Sequence, residues 1–214
     1  MNCSGMIEKL LVGINCKKYN LILIIGVLLM SCEDILSDNY EESEIINPAD
    51  WVELYNPTNE SIAIGWWEFK DGDDTHVFII PENQVLESGA YLVLCKDSLA
   101  FNDNFPNVSN FIGEFDFGLN GGGELVRLFD AEELPVDEVN YDDSSPWPLE
   151  PDGNGPTLEL IHPSLDNDLG VNWATSDNNG GTPGMVNSVY TADSSKSLVS
   201  RIVINEINYN SADE

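Results

Sequence analysis

Carboxylates clustered in turns are the residues of this sequence best suited to bind a ligand. Asp71-Gly-Asp-Asp74 brings three carboxylates into one turn, and Asp166 and Asp168 place two more in another. Calcium takes about six to eight oxygen ligands, so clustered loop carboxylates are suitable calcium ligands. The spacing lacks the EF-hand pattern, in which a glutamate follows the loop glycine. The alternatives are a calcium site at Asp71, Asp73 and Asp74 or an acidic turn that connects two strands.

The sequence contains two histidines, His76 and His162, and each stands beside an apolar run. His76 follows Asp73-Asp74-Thr75, so it is either a base oriented by a carboxylate or a histidine that ends a strand in solvent. No HExxH, GxSxG, P-loop or CxxC motif is present. We therefore assign no catalytic residue, no cofactor-binding residue and, apart from the open calcium question, no metal ligand.

Two further features suggest ligand binding. Asn120-Gly-Gly-Gly-Glu124 is glycine-rich, but it precedes an apolar run typical of a strand instead of a helix N-terminus, which predicts a hairpin turn. Five tryptophans offer either a face on which sugars stack or, as is usual in a β-sandwich, core packing. They are Trp51, Trp66, Trp67, Trp147 and Trp173.

The charge of the chain limits its partners. The sequence has 38 acidic and 8 basic residues, a formal net charge of -30. Such a charge repels phosphate backbones, so we predict no nucleic-acid partner. Apolar residues at 42% and aromatic residues at 9% exceed the content of a disordered acidic chain. The acidic residues therefore belong to the surface of a folded domain.

The N-terminal residues have the pattern of an export signal. Lys17 and Lys18 precede an apolar run at residues 21–30, which is shorter than the roughly 20 residues of a membrane-spanning helix. The run ends in Leu29-Met30-Ser31-Cys32, which resembles the lipobox of bacterial lipoproteins. The resemblance implies that residues 1–31 are a cleaved signal peptide and that Cys32 is lipidated and attaches the protein to a membrane. An ordinary secretory signal with a coincidental cysteine is the alternative.

Residues 32–50 contain seven acidic residues and no basic residue, which predicts an extended acidic tether. Acidic residues after a lipidated cysteine resemble the surface-export signals of Bacteroidota lipoproteins. We therefore expect the protein at the bacterial outer membrane or cell surface, with periplasmic or surface orientation left open. Cys95 is the other cysteine after the signal, so no intrachain disulfide is expected.

From Trp51 onward the chain alternates short apolar runs with turn residues such as Asn56-Pro57. No amphipathic helical stripe follows the signal, and only residues 98–105 are compatible with a brief helical turn. The pattern predicts an all-β antiparallel sandwich. The predicted strands are residues 51–55, 62–70, 76–80, 91–94, 125–129, 136–141 and 158–161.

Trp51-Val-Glu-Leu-Tyr-Asn-Pro-Thr58 resembles the core strand of lamin tail domains, and the resemblance extends to Gly181-Thr-Pro-Gly184. It implies an immunoglobulin-like antiparallel β-sandwich of about nine strands over residues 51–188. Bacterial members are typically exported accessory or surface modules. The other matching segments are residues 65–71, 77–82, 88–97, 117–130, 146–148, 155–160 and 172–174.

One segment departs from the family's order. Lamin tail domains open with a strand of the form INEINYNS, whereas in this chain that pattern occupies residues 204–211, after a serine-rich linker at residues 189–200. Residues 201–214 are either the opening strand of a second unit, which the ending at Glu214 favours, or an edge strand of the first. In both interpretations we expect the strand to pair with an open sheet edge.

These observations predict an exported, lipid-anchored, non-catalytic binding or adhesion module whose protein or glycan ligand the sequence does not identify. The alternative is the N-terminal accessory domain of a longer secreted enzyme, a hydrolase or a spore-coat-kinase-like protein. A lamin-like filament is disfavoured because the sequence has no heptad rod, and the charge opposes DNA binding.

Overall fold

The computed structural model describes residues 48–192 and 199–209. The predicted signal peptide, Cys32 and most of the acidic tether lie outside the described residues. Within the described residues, no helix is long and apolar enough to cross a membrane.

The secondary-structure elements, numbered in chain order, are β1 Trp51–Tyr55, β2 Ile62–Ala63, β3 Glu68–Lys70, β4 Phe78–Ile79, β5 Val85–Leu86, β6 Tyr91–Cys95, α1 Ser98–Asn104, β7 Phe111–Gly113, β8 Gly123–Phe129, β9 Pro135–Asp142, β10 Pro156–Leu160, a 3-10 turn Gly170–Asn172, β11 Trp173–Asn179 and β12 Val203–Asn208.

Within residues 48–192 and 199–209, the strands form two large sheets and one small sheet. A six-stranded sheet has the order β11-β10-β12-β1-β6-β7, a four-stranded sheet has the order β4-β3-β8-β9, and β2 pairs with β5. Side chains from both large sheets share one hydrophobic core. The predicted all-β, immunoglobulin-like sandwich is therefore confirmed. One pairing differs from the expected antiparallel pattern, because β7 lies parallel to β6, with Phe111 opposite Val93.

Strand β1 is covered on both faces, which explains why its sequence does not alternate between apolar and polar residues. Val52 and Leu54 enter the main core, whereas Trp51 belongs to a second cluster on the opposite face. There Trp51 packs edge-on against Phe101 of α1, with ring centroids 6.0 Å apart. Strands buried on both faces carry near-continuous apolar runs instead of alternating ones.

Helix α1 begins at a side-chain cap and buries one apolar residue. The side chain of Asp97 accepts hydrogen bonds from the amides of Leu99 and Ala100, both at 2.9 Å, which satisfies two free donors of the first turn. Phe101 is fully buried beneath the helix. The helical turn predicted for residues 98–105 is thus present as a helix of seven residues.

Several strand boundaries differ from the prediction. The run at residues 62–70 is two strands, β2 and β3, because a turn intervenes in which Trp66 has a φ of 68°. Strand β11 has the largely polar sequence Trp-Ala-Thr-Ser-Asp-Asn-Asn and was not predicted. It is an edge strand that is held in the sheet by pairing with β10, and no local sequence pattern predicts such pairing.

Strand β12 lies inside the six-stranded sheet and has an antiparallel neighbour on each side. Ile207 stands opposite both Val52 of β1 and Leu158 of β10. All six residues of β12 are buried. The segment at residues 203–208 is therefore an interior strand of this sheet, where the sequence suggested an edge strand or the start of another unit.

A β-bulge in β12 directs one polar side chain toward β1. Glu53 is opposite Glu206, but the next residue of β1, Leu54, is opposite Ile204, so Asn205 is the extra residue. The amide of Ile204 donates to Asp137 Oδ2 of β9 at 2.7 Å. The bulge therefore places Asn205 beside the side chain of Glu53, to which it donates a hydrogen bond.

We expect the amide protons of residues 203–207 to exchange with solvent as slowly as those of β1, because β12 is fully buried, pairs with β1 along its length and pairs with β10 at Glu206 and Ile207. Hydrogen exchange followed residue by residue by NMR measures this. The exposed turn at residues 72–74 is the internal reference for fast exchange. Rapid exchange throughout β12 beside a protected β1 would contradict the interior position of the strand.

Candidate functional site

Three glutamates form a row across neighbouring strands of the six-stranded sheet. Glu53 of β1 is opposite Glu206 of β12, and Glu206 is opposite Glu159 of β10. All three residues are 0% exposed. Each stands in an apolar strand, and we refer to the three as the glutamate row. Buried carboxyl groups without a basic partner must be protonated or fully hydrogen-bonded, because an isolated buried charge is very costly.

Residues 181–189, which we call the cover segment, supply much of this hydrogen bonding. The amide of Thr182 donates to Glu206 Oε1 at 2.9 Å, and its hydroxyl donates to Glu159 Oε1 at 2.7 Å. The Ser188 hydroxyl donates to Glu159 Oε2 at 2.7 Å. The amide of Gly184 donates to Glu53 Oε2 at 2.5 Å. The cover segment thus touches all three carboxyl groups.

The remaining donors come from the strands themselves. Asn205 Nδ2 donates to Glu53 Oε1 at 3.0 Å, and Thr157 Oγ1 donates to Glu206 Oε1 at 2.5 Å. Gly181 has a φ of 80°, and a Cβ atom at this position would overlap Glu206 Oε1 and Thr157 Oγ1. Glycine is therefore required at residue 181 both for its backbone angle and for the space beside the row.

Two members of the row, Glu53 and Glu206, hold their protons more tightly than an exposed glutamate does. Burial raises the pKa of Glu53 to about 8, and hydrogen bonds from Gly184 and Asn205 offset this only in part. Burial raises the pKa of Glu206 well above its usual range, and the nearby Glu53 and Glu159 raise it further. Desolvation and like charges both favour the neutral acid.

A tyrosine-lined cavity of about 190 Å³ lies beside the row. We call it the tyrosine pocket. Tyr55 and Tyr91 stack with centroids 4.5 Å apart, and Tyr190 stacks on His162 at 5.3 Å. Asn205, which binds Glu53, also lines the pocket, so the pocket and the row share a wall. Other lining residues are Pro163, Val186 and Asn187.

Two tyrosines of the pocket, Tyr55 and Tyr91, hold their hydroxyl protons more tightly than a free tyrosine does. Burial raises the pKa of Tyr55, and the nearby Tyr190 raises it further. Burial likewise raises the pKa of Tyr91, followed by the effect of Tyr55. Neutral phenols offer an aromatic face together with a hydroxyl that both donates and accepts hydrogen bonds.

The three carboxylates of the first turn, for which calcium binding was left open, each have a different partner. Asp71 Oδ2 is 2.7 Å from His76 Nδ1, Asp73 Oδ1 accepts from the Thr75 amide at 2.8 Å, and Asp74 Oδ1 accepts from Arg127 at 2.9 Å. Within the described residues, no group of three acidic, histidine or cysteine side chains has the arrangement of a metal site. In this segment the three carboxylates hold the turn and the neighbouring side chains of His76 and Arg127 in place.

The second acidic turn borders an open cleft of about 370 Å³. Asp166 Oδ1 accepts from the amide of Asp168 at 3.2 Å, and Asp168 Oδ1 accepts from the amide of Asn140 at 3.1 Å. Asp137, also in the cleft, accepts from Arg201 at 3.1 Å. These carboxylates hold turns and strand ends in place.

The two histidines occupy unrelated places. The hydrogen bond to Asp71 raises the pKa of His76, whose ring stacks on Phe117 at 5.4 Å. His162 Nδ1 accepts the amide of Ser164 at 3.1 Å and lies 2.8 Å from its hydroxyl. His162 and Ser164 thus form a local turn in which one ring nitrogen contacts both the amide and the hydroxyl of the serine.

The tryptophans divide between core and surface. Trp51, Trp147 and Trp173 are buried, whereas Trp66 is 55% exposed. The segment that begins at Asn120 is a turn leading into β8, in which the Gly122 amide donates to Asn120 Oδ1 at 2.8 Å. Neither a tryptophan nor the turn at Asn120 lines the tyrosine pocket.

Residues 33–143 match the family model of the lamin tail domain, which is just over half of the chain. The chain belongs to the lamin tail domain family. The lamin tail domain is a non-catalytic immunoglobulin-like fold, consistent with the sandwich described above. No curated protein matches the chain. Glu53, Tyr55 and Tyr91 lie within the lamin tail domain match, whereas Glu159 and Glu206 lie beyond it.

Sequence reasoning missed the glutamate row and the tyrosine pocket. A local signal for the row exists, because a single glutamate interrupts an apolar run in Val-Glu-Leu at residue 53 and in Leu-Glu-Leu at residue 159. A charged residue in a strand buried on both faces predicts a hydrogen-bonded partner. The pocket has no such signal, since Tyr55, Tyr91 and Tyr190 come from distant parts of the chain.

We expect alkaline pH to destabilise the protein through the row. Folded-state pKa values above the unfolded value of 4.5 mean that the folded protein binds more protons. This contribution to stability is complete below about pH 4.5 and is lost as pH rises toward and through about 8. Melting temperature should therefore fall between about pH 5 and about pH 9, by about 2–4 °C for each kcal/mol lost.

Glu206→Gln imitates the protonated acid and should remove much of this fall, whereas the exposed Glu132→Gln should leave it unchanged. Thermal melts of the three proteins across pH measure the difference. The comparison is needed because His76, whose pKa is also raised, changes stability in the same direction. Equal pH dependence in wild type and Glu206→Gln would show that the row does not carry the effect.

Proposed function

We propose that this lamin tail protein is an exported, lipid-anchored binding module that contacts its ligand through the tyrosine pocket. The proposed anchor is Cys32, at the end of the lipobox-like segment, and the acidic residues 33–50 hold the domain away from the membrane. The proposed location is the bacterial outer membrane or cell surface.

The observation that carries the binding role is the tyrosine pocket itself. Two of its lining residues are exposed to solvent, Val186 at 56% and Tyr190 at 43%, and Met185, which precedes Val186 in the chain, is 62% exposed. Adjacent exposed apolar residues beside a concave, aromatic-lined site are typical of ligand or protein contact surfaces. Tyrosine supplies a large contact area with few rotatable bonds, so binding costs little side-chain entropy.

The charge of the chain supports a lipid anchor instead of direct adhesion to the membrane. The net charge of -30 becomes -32 when residues 1–31, with three lysines and one glutamate, are removed. Such a body is repelled by anionic lipid. A diacylated cysteine supplies two hydrocarbon chains, which is the number that stable anchoring requires.

Cys32→Ala should release the protein from the membrane fraction of the bacterium that expresses it, because the acyl chains would be lost. Cys95→Ala, which alters a buried cysteine of the sandwich, is the matched control and should leave the protein membrane-bound. Fractionation followed by immunoblotting measures this. Membrane association that persists in Cys32→Ala would refute lipid anchoring at this residue.

A panel of short blocked peptides and oligosaccharides should include members that shift the ring resonances of Tyr55, Tyr91 and Tyr190 in a saturable way. NMR with labelled tyrosine measures these shifts on the purified protein. Tyr190→Ala should weaken the binding, whereas Trp66→Ala, which removes an exposed aromatic residue elsewhere, should not. Unchanged tyrosine resonances with every probe would refute the binding role of the pocket.

A further inference from the structure

We propose that the tyrosine pocket takes a lysine or arginine side chain presented by a partner protein. This inference rests on the proposed function, in which the pocket is the ligand site, and it specifies the chemistry of the ligand. Four observations carry it: the aromatic lining, the charge distribution, the acceptors in the wall and the size of the cavity.

The lining suits a cation. Tyr55, Tyr91 and Tyr190 all line the cavity, with Tyr55 and Tyr91 stacked on each other at 4.5 Å and Tyr190 stacked on His162. Aromatic faces carry negative electrostatic potential and attract ammonium and guanidinium groups within about 6 Å. Three rings around one cavity form the kind of enclosure in which this attraction is strongest.

Among the described residues, no lysine, arginine or histidine lines the pocket, and the protein as a whole is strongly acidic. The chain has a net charge of -30. In the part of the chain that the structure describes, the four lysine and arginine side chains each pair with a carboxylate, and none lines the pocket. Those residues are Lys70, Lys96, Arg127 and Arg201. A cationic side chain is therefore drawn to this surface, and the pocket is not occupied by one of the protein's own cations.

The wall of the pocket offers oxygen acceptors. Asn187 Oδ1 accepts one hydrogen bond, from Asn205 Nδ2 at 2.6 Å, and an amide oxygen has two lone pairs. Behind Asn205 lies Glu53, at 3.0 Å from its amide nitrogen. An ammonium or guanidinium group carries several donors and no acceptor, so a wall of oxygens and phenols satisfies it better than a wall of donors.

The size of the cavity favours one side chain over a larger molecule. Its volume is about 190 Å³. Sites for drug-sized ligands are about 300–1,000 Å³, so this cavity suits a single extended side chain. The exposed Met185 and Val186 beside it provide apolar surface for the backbone and neighbours of such a residue. This combination favours a protein partner over a free small cation.

The test compares two blocked pentapeptides on the purified protein, one with a central arginine among glycines and one with citrulline in its place. Citrulline keeps the shape of arginine and removes the charge. We expect the arginine peptide to bind at least about tenfold more tightly, as measured by the ring resonances of labelled Tyr55, Tyr91 and Tyr190. Binding should weaken as salt is added.

Variants separate the pocket from the general acidity of the surface. Tyr190→Leu keeps an apolar side chain and removes the ring, and it should weaken arginine-peptide binding about tenfold, whereas Tyr190→Phe should retain it. Trp66→Leu is the matched control, because Trp66 is an exposed aromatic residue outside the pocket lining. Its binding should equal that of the wild type.

The outcomes distinguish this inference from the proposed function. Equal binding of both peptides through Tyr190 would overturn cation recognition and leave a binding module in place. Binding of an oligosaccharide or an uncharged peptide in the pocket, without binding of the arginine peptide, would do the same. Arginine-peptide binding that survives Tyr190→Leu would assign the attraction to the acidic surface and overturn the inference. Failure of every probe at the pocket would refute both.

Discussion

The burial of three carboxyl groups side by side is the constraint on which the rest of this structure depends. A buried acid is tolerated only when it is protonated or supplied with hydrogen bonds. Glu53, Glu159 and Glu206 receive theirs from the cover segment and from the bulge at Asn205. The row therefore holds the cover segment against β1, β12 and β10. Pairing between the strands alone would not hold this segment.

The tyrosine pocket depends on the same contacts. Val186, Asn187 and Tyr190 reach it from the cover segment or directly after it, while Tyr55 and Tyr91 come from β1 and β6. Asn187 Nδ2 donates to the carbonyl oxygens of Leu160 and Asn205, at 2.9 and 3.0 Å, which fixes this wall against β10 and β12. A surface for ligands is thus built on a buried polar network, which gives it a defined shape at a cost in desolvation.

Much of the sandwich could be predicted from local patterns, and the errors have physical causes. Strand β1 was predicted from its apolar run, and a brief helical turn was predicted where α1 lies. The turn at Trp66 divided one predicted strand into two, and the polar strand β11 was not recognised. Strand β11 is held in the sheet by its pairing with β10, which lies at some distance in the sequence. The acidic turn at residues 71–74 was found, but the different partners of its carboxylates depend on residues far away, such as Arg127.

The sequence by itself determined the all-β class and the lamin tail family, because strand periodicity and motif order are properties of the chain. Only the tertiary structure decided where residues 203–208 lie, which glutamates face one another and which tyrosines share a cavity. These juxtapositions join residues as far apart as Glu53 and Glu206. They follow from strand order and register, which local sequence does not encode.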